Sequence, residues 1–351
     1  MLIAGRYQFD GNYISGGMAT VLPCQDKVLS RNVAIKIMPG AASERRIRDE
    51  VSALLKMRSK HVVQIYDIFP TENEGLAIVQ EFISGFDLFD KRLFPKTKGE
   101  YLRLLWQMAS GLADIHDLKI IHRDIKPNNM KVDNEGVLKI FDFGLARDEG
   151  EGASTMGFVG TPGFAAPELY ADNPKFTAAV DVYAFGASAL YLAMGDLPSD
   201  LKYRPPKLDA NDFFEEIRFD LRDELRSSLS SCLSKSPKNR PPMKEVRDLL
   251  AKNILHDTHR ALVVFDGKST FLNGKNRSVS LNAHGLGQIK IQYDGFDFRA
   301  VEISGEVFIN NRAVSNNFAI PGACVVTLGA HEKKNQRKYI TFDLSHPEIV
   351  L

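Results

Sequence analysis

His122-Arg123-Asp124-Ile125-Lys126-Pro127-Asn128-Asn129 is the stretch on which the fold turns. It sets a carboxylate, an ammonium and an amide within six residues of one another. Thirteen residues after Asn129 comes Asp142-Phe143-Gly144, and Ala166-Pro167-Glu168 follows. Upstream, Val33-Ala34-Ile35-Lys36 reads as a strand, and Glu50 falls on the helical stretch behind it. A lone lysine on a strand is ordinarily a solvated side chain, and a lone aspartate before Phe-Gly a turn. The ordered set is hard to produce by chance.

Composition narrows the classes available. The 351 residues are 44% hydrophobic and 25% charged, ordinary soluble-globular values that exclude disorder for most of the chain. Lysine plus arginine (45) against aspartate plus glutamate (44) leaves +1, so no global field recruits nucleic acid. Cys24, Cys232 and Cys324 are far apart with no CxxC, which argues against a disulfide framework or zinc ribbon and fits a reducing cytosol. The N-terminus does not read as a signal peptide. The most apolar stretch, 178–194, contains Asp181 and reads as a buried helix rather than a membrane span. The expectation is a cytoplasmic protein with no nucleic-acid partner and no membrane insertion.

The hydrophobic period changes along the chain. Short strands are expected at 13–14, 21–22 and 33–37, then a helix over 44–57 and strands over 62–69 and 76–82. Helical spacing dominates next, over 101–117, 178–194, 220–233 and 243–252. Beyond about residue 255 the pattern alternates with period two between closely spaced glycines, as in a small all-β sandwich.

With these motifs in this order, residues 7–255 resemble the eukaryotic-like (Hanks-type) protein kinases, in their bacterial serine/threonine form. The resemblance implies an α+β, bilobal protein kinase fold, with a β-rich N-lobe over 1–82 and a helical C-lobe over 83–255. An all-β domain over 256–351 follows it. Phosphoryl transfer spreads negative charge over the moving group, so catalysis is mostly positioning and electrostatic stabilisation. By the resemblance, Lys36 contacts the α- and β-phosphates of ATP and is held by Glu50. Asp142 and Asn129 ligate Mg²⁺, or Mn²⁺ in its place. Asp124 accepts the proton of the substrate hydroxyl, and Lys126 neutralises the γ-phosphate.

The nucleotide loop departs from the family's three-glycine pattern. Alignment on Val21 puts the glycine positions at Ile14, Gly16 and Ala19, so Ser15-Gly16-Gly17 keeps only the middle one. Val21 and Ala34 are expected to cover adenine, and the backbone of Glu81 and Ile83 to read its edge. Asp87 contacts the ribose or caps a helix. Lys126 and the Gly160-Thr161-Pro162-Gly163-Phe164 segment match the serine/threonine pattern, with Thr161 bridging Asp124 and Lys126. Glu168 is expected to pair with Arg240, and Asp181 to brace the catalytic loop. His122 and Phe143 are packing residues. Arg123 implies a phosphorylated activation loop, with Thr155 the first candidate acceptor and Ser154 the second.

Residues 307–314 and 320–329 look like the closing half of a forkhead-associated (FHA) sandwich, without that family's binding signatures. This β domain is expected to make a phosphoprotein or autoregulatory contact, with Lys333, Lys334, Arg337 and Lys338 as a solvated hairpin tip. The activity implied is transfer of the γ-phosphate of ATP to Ser/Thr hydroxyls of protein substrates, including the kinase itself. The alternative is a pseudokinase scaffold that binds nucleotide and protein partners without turnover, favoured only by the depleted glycine loop.

Overall fold

The structure, a computed structural model, describes residues 1–11, 14–15, 20–38, 51–52, 54–55, 57–71, 75–143, 147–148, 162–208, 212–345 and 349. The chain divides into two compact units, Met1–Leu250 and Ala251–Val350.

The first unit opens with an antiparallel sheet of seven strands: β1 (Leu2–Ile3), β2 (Tyr7–Phe9), β3 (Ile14–Ser15), β4 (Thr20–Asp26), β5 (Arg31–Met38), β6 (Ile65–Pro70) and β7 (Leu76–Glu81). Their order is β1-β2-β4-β5-β7-β6, with β3 paired to β4. Alternation along the strands gives the sheet two chemically different faces. Leu22, Cys24, Val33, Ile35, Ala77 and Val79 gather with Tyr7 in a buried cluster on one of them. Ile35 and Val79 are 0% exposed, and burying each contributes roughly 1.5–3 kcal/mol. The other face carries Val21, Lys36 and Ile78 in one cross-strand row and Pro23, Ala34 and Gln80 in the next. Residues 62–64 lie outside β6, although their apolar pattern extends that strand. Val63 N–H donates to Ile140 O (2.9 Å), so this segment pairs with the other lobe.

The helical lobe begins at α1 (Lys98–Asp117), three residues ahead of its expected start. The cause is a capping box: Thr97 Oγ1 accepts from Glu100 N (3.2 Å) and Glu100 Oε2 accepts from Thr97 N (3.3 Å). Short strands lie on either side of this helix: β8 (Phe86–Asp87), ahead of α1, and β11 (Leu138–Ile140) flank β10 (Met130–Val132), and β9 (Ile120–Ile121) pairs with β12 (Arg147–Asp148). α2 (Ala178–Met194) is buried almost throughout, hence its mostly apolar composition, which Asp181 and Ser188 interrupt. It stops at Gly195, whose φ of 85° lets its N–H return to Tyr191 O at 2.8 Å. α3 (Asp223–Cys232) and α4 (Met243–Ile254) follow.

Among the described residues the second unit holds ten strands: β13 (Ala261–Phe265), β14 (Lys268–Leu272), β15 (Ser278–Ala283), β16 (Gly287–Tyr293), β17 (Phe298–Gly305), β18 (Val307–Ile309), β19 (Arg312–Ala313), β20 (Phe318–Ala319), β21 (Cys324–Leu328) and β22 (Lys338–Leu344). They form two sheets, β14-β13-β22-β21-β18-β19 and β15-β16-β17-β20. Val263, Val326 and Phe342 of the first share one core with Ile289, Ile291 and Phe298 of the second. One expectation here is corrected. Arg337 is not a solvated tip: it is 8% exposed, donates from Nε to Gly329 O (3.1 Å) and lies against Phe308. Its aliphatic stem covers apolar surface, which composition alone does not reveal. Lys338 pairs with Asp266 at 2.8 Å.

Candidate active site

Segment 122–129 is hung from one buried carboxylate on α2. Asp181 Oδ1 accepts the Arg123 N–H (2.8 Å), and Oδ2 accepts the His122 N–H (2.8 Å) and lies 3.0 Å from His116 Nε2. Burial pushes this carboxyl up, but the hydrogen bonds from His116 and the backbone prevail and hold it below the usual carboxylate range. Arg123 adopts φ 70°, a conformation non-glycine residues rarely take, and its bond to Asp181 helps hold it there. Its side chain is buried over the Phe176 ring, 4.0 Å from the centroid. An aromatic face therefore already covers the guanidinium that was expected to require an anion.

His122 is fully buried, with Nε2–H donating to Phe141 O (3.0 Å) and its ring 4.8 Å from Phe143. Nδ1 has no hydrogen-bond partner among the described residues. Burial pushes the imidazole pKa down, as it does at His61. In the unfolded chain both titrate near about pH 6.5. Folding stability is then fully present above that pH and declines as pH falls below it, because only the unfolded state readily takes the protons. Calorimetry from pH 7.5 to 5.5 should record a falling Tm, and a flat Tm contradicts the neutral assignment.

Two groups converge on the Asp124 carboxylate. Lys126 Nζ lies 2.7 Å from Oδ2, and Asn129 Nδ2 donates to the same oxygen (2.9 Å) and to Asp124 O (2.7 Å). Both side-chain contacts fall on Oδ2, which fixes the rotation of the carboxylate. The backbone reinforces this, since Asn129 N–H returns to Lys126 O at 3.0 Å.

Across the site, Lys36 reaches from the sheet face to Asp142, Nζ to Oδ1 at 2.5 Å. Lys36 is buried, whereas the Asp142 side chain is 46% exposed. Desolvation pushes the Asp142 carboxyl up, and Lys36 more than offsets it, so the group stays ionised below the usual range. Glu50, the expected partner of Lys36, lies outside the described residues. An anionic oxygen at Asp142 and an amide oxygen at Asn129 are hard donors of the kind that fit a divalent cation such as Mg²⁺ or Mn²⁺.

The face expected to take the nucleotide carries the row of Val21, Lys36 and Ile78 with Pro23, Ala34 and Gln80 beside it. Ile14 pairs with Val21 and Ser15 with Thr20. Gly16 and Gly17 lie outside the described residues, as do Thr155, Ser154 and Thr161. Glu81 closes β7 with its N–H donated to Gln64 O (2.8 Å), and Ile83, the other residue expected to read the adenine edge, follows two residues on. Asp87 does not cap a helix: its Oδ1 accepts Phe89 N (2.9 Å), and the capping residue is Asp90, which accepts Arg92 N (2.9 Å). Glu168 and Arg240 form a bidentate pair at 2.6 and 2.8 Å, with the Arg240 side chain fully buried. Sequence reasoning missed the pairing of Lys139 with Glu81 (2.8 Å) and the stacking of Phe176 under Arg123, since neither leaves a local signal. The Thr97-x-x-Glu100 box was readable and marks the start of α1.

A small antiparallel sheet with a buried lysine on one face, set against a loop braced from a central helix, is the architecture of the phosphotransferring kinases. Residues 11–251 match the family model described as "Protein kinase domain", and the chain belongs to that family. A probable serine/threonine-protein kinase of Bifidobacterium longum, pknA2, is 35% identical over 212 residues, covering 57% of this chain and 28% of that protein. PknA of Corynebacterium glutamicum is 34% identical over 210 residues, 56% of this chain and 45% of its own. PrkC of Bacillus subtilis is 33% identical over 210 residues, 56% of this chain and 32% of its own. The chain spans about a quarter to a half of the length of these relatives.

Proposed function

We propose that this chain is a serine/threonine protein kinase, transferring the γ-phosphate of ATP to Ser/Thr hydroxyls of protein substrates and of itself. The observation that carries the reading is the convergence of Lys126 and Asn129 on Asp124, with Lys36 and Asp142 opposed across the site. Asp124 orients the substrate hydroxyl and takes its proton as the oxygen attacks phosphorus. Lys126 stabilises the charge developing on the transferred group, and Lys36 holds the α- and β-phosphates. Asp142 and Asn129 would hold Mg²⁺, or Mn²⁺ in its place, and the bound cation would supply neutralisation of phosphate charge. The relatives' names place them among serine/threonine kinases, and Lys126 agrees with that substrate class.

Incubation with radiolabelled Mg-ATP, with Asp124→Ala as the blank, tests the reading; no label above the blank overturns it. Mapping the labelled sites tests Thr155 and Ser154 together. Thr155→Ala is expected to slow phosphotransfer more than Ser154→Ala, and wild-type rates in both remove the activation loop as the switch.

The pseudokinase alternative rests on Ile14 at the first glycine position. Glycine permits a backbone approach to phosphate that a β-branched residue restricts. Ile14→Gly is accordingly expected to lower the KM for ATP, and an unchanged or raised KM shows that the loop reaches its working geometry otherwise. The kinase domain is taken to end near residue 255. The β unit is read as an FHA-like sandwich that makes a phosphoprotein or autoregulatory contact. No helix among the described residues is long and apolar enough to cross a membrane, and the reading places the protein in the cytoplasm.

A further inference from the structure

One largely buried ion pair near the site has no part in the chemistry above. Lys139 Nζ lies 2.8 Å from Glu81 Oε1 and 3.0 Å from Oε2, with the side chains 13% and 22% exposed. Glu81 is also tied to Gln64, donating from its N–H to Gln64 O (2.8 Å) and accepting Gln64 N at Oε2 (3.3 Å). Segment 61–64 is in turn laid along β11. Val63 N–H donates to Ile140 O and Ile140 N–H to His61 O, both at 2.9 Å, and Val62 bridges Ile140 in parallel. His61 Nδ1 adds a contact to Leu138 O at 3.0 Å.

These contacts close into a ring. Glu81 holds Gln64, the preceding residues hold β11, and Lys139 of β11 returns to Glu81. One side of the ring is the end of β7, where the backbone assigned to adenine begins. The opposite side is the strand that ends two residues before Asp142. The ring therefore sets the separation between the adenine end and the phosphate end of the site.

We propose that Lys139 is a positioning residue that fixes the backbone of Glu81–Ile83 relative to Asp142, so that one nucleotide engages both ends at once. The inference rests on the reading of this face as the nucleotide site. When two anchors are held at the right separation, the second contact is effectively intramolecular, and loosening the separation lowers its effective concentration. A ligand that uses only the adenine end is insensitive to that separation.

The test is calorimetric titration of the full chain with Mg-ATP and, separately, adenosine. Lys139→Met is expected to weaken Mg-ATP on the order of tenfold while adenosine stays within about twofold, because only the former spans both anchors. Lys139→Arg should restore the wild-type ratio, since its cation still reaches the carboxylate. A purely structural role lowers Tm without moving the ratio. Parallel weakening of both ligands, or an unchanged ratio, overturns the proposal alone. A wild-type chain that binds neither ligand overturns the nucleotide reading and the proposal with it. Should Lys139→Met fail to fold, Glu81→Gln breaks the same pair while keeping the Glu81 carbonyl, and the same ratio decides.

Discussion

Asp142→Ala and Lys36→Ala are each expected to reduce phosphotransfer by about 10²-fold or more with the fold retained, because each removes a charge whose interaction strengthens toward the transition state. Lys36 Nζ and Asp142 Oδ1 are 2.5 Å apart, so each variant also leaves its partner without that contact. The Asp142 side chain is nearly half exposed, so water can solvate the site after truncation and the fold should survive. The Lys36 side chain is only 10% exposed, so Lys36→Met, which fills the same volume, is the companion that separates lost charge from lost packing. Initial rates with Mg-ATP, alongside circular dichroism, check both points. Activity within a few-fold of wild type in either variant removes that residue from the machinery.

The second large effect is on stability. Asp181→Ala strands two consecutive buried N–H groups, those of His122 and Arg123, and deprives His116 of its carboxylate. Each unsatisfied donor costs about 1–3 kcal/mol, so a total loss of roughly 3–5 kcal/mol is expected. For a domain of this size, that lowers Tm on the order of 10 °C. Asp181→Asn keeps one acceptor and should fall between wild type and alanine. Activity should fall as well, because Asp124 follows directly on the segment that Asp181 holds. A Tm within about 2 °C of wild type for Asp181→Ala would show that water or a rearranged loop satisfies those donors.

Much of the candidate site was legible because catalysis constrains residue type locally. Asp124, Lys126 and Asn129 lie within one short loop, and the backbone turn that carries them brings Lys126 and Asn129 onto the same oxygen. Lys36 was legible for a related reason. The period of the strand puts Ala34 and Lys36 on one face and Val33 and Ile35 on the other, and the buried cluster takes the second pair. α2 was readable because a helix buried on nearly all sides must be apolar nearly throughout. Asp87 shows where local reading fails. Asp87 and Asp90 can each serve as a cap, and only the backbone path places the helical turn after Asp90.

By itself, then, the sequence determined the longer strands and helices, the change to period two near residue 255, and the residue types that gather at the candidate site. Those properties are written in residue type and short-range spacing. Apart from the Glu168–Arg240 pair, which the resemblance implied, the tertiary structure decided which side chains meet across long separations. Glu81 finds Lys139, Arg123 lies over Phe176, and Arg337 is drawn in against Phe308. Lysine and arginine have flexible stems that can lie along apolar surface or extend into water. Their partners are set by where distant backbone segments pack, and no local pattern encodes that distance.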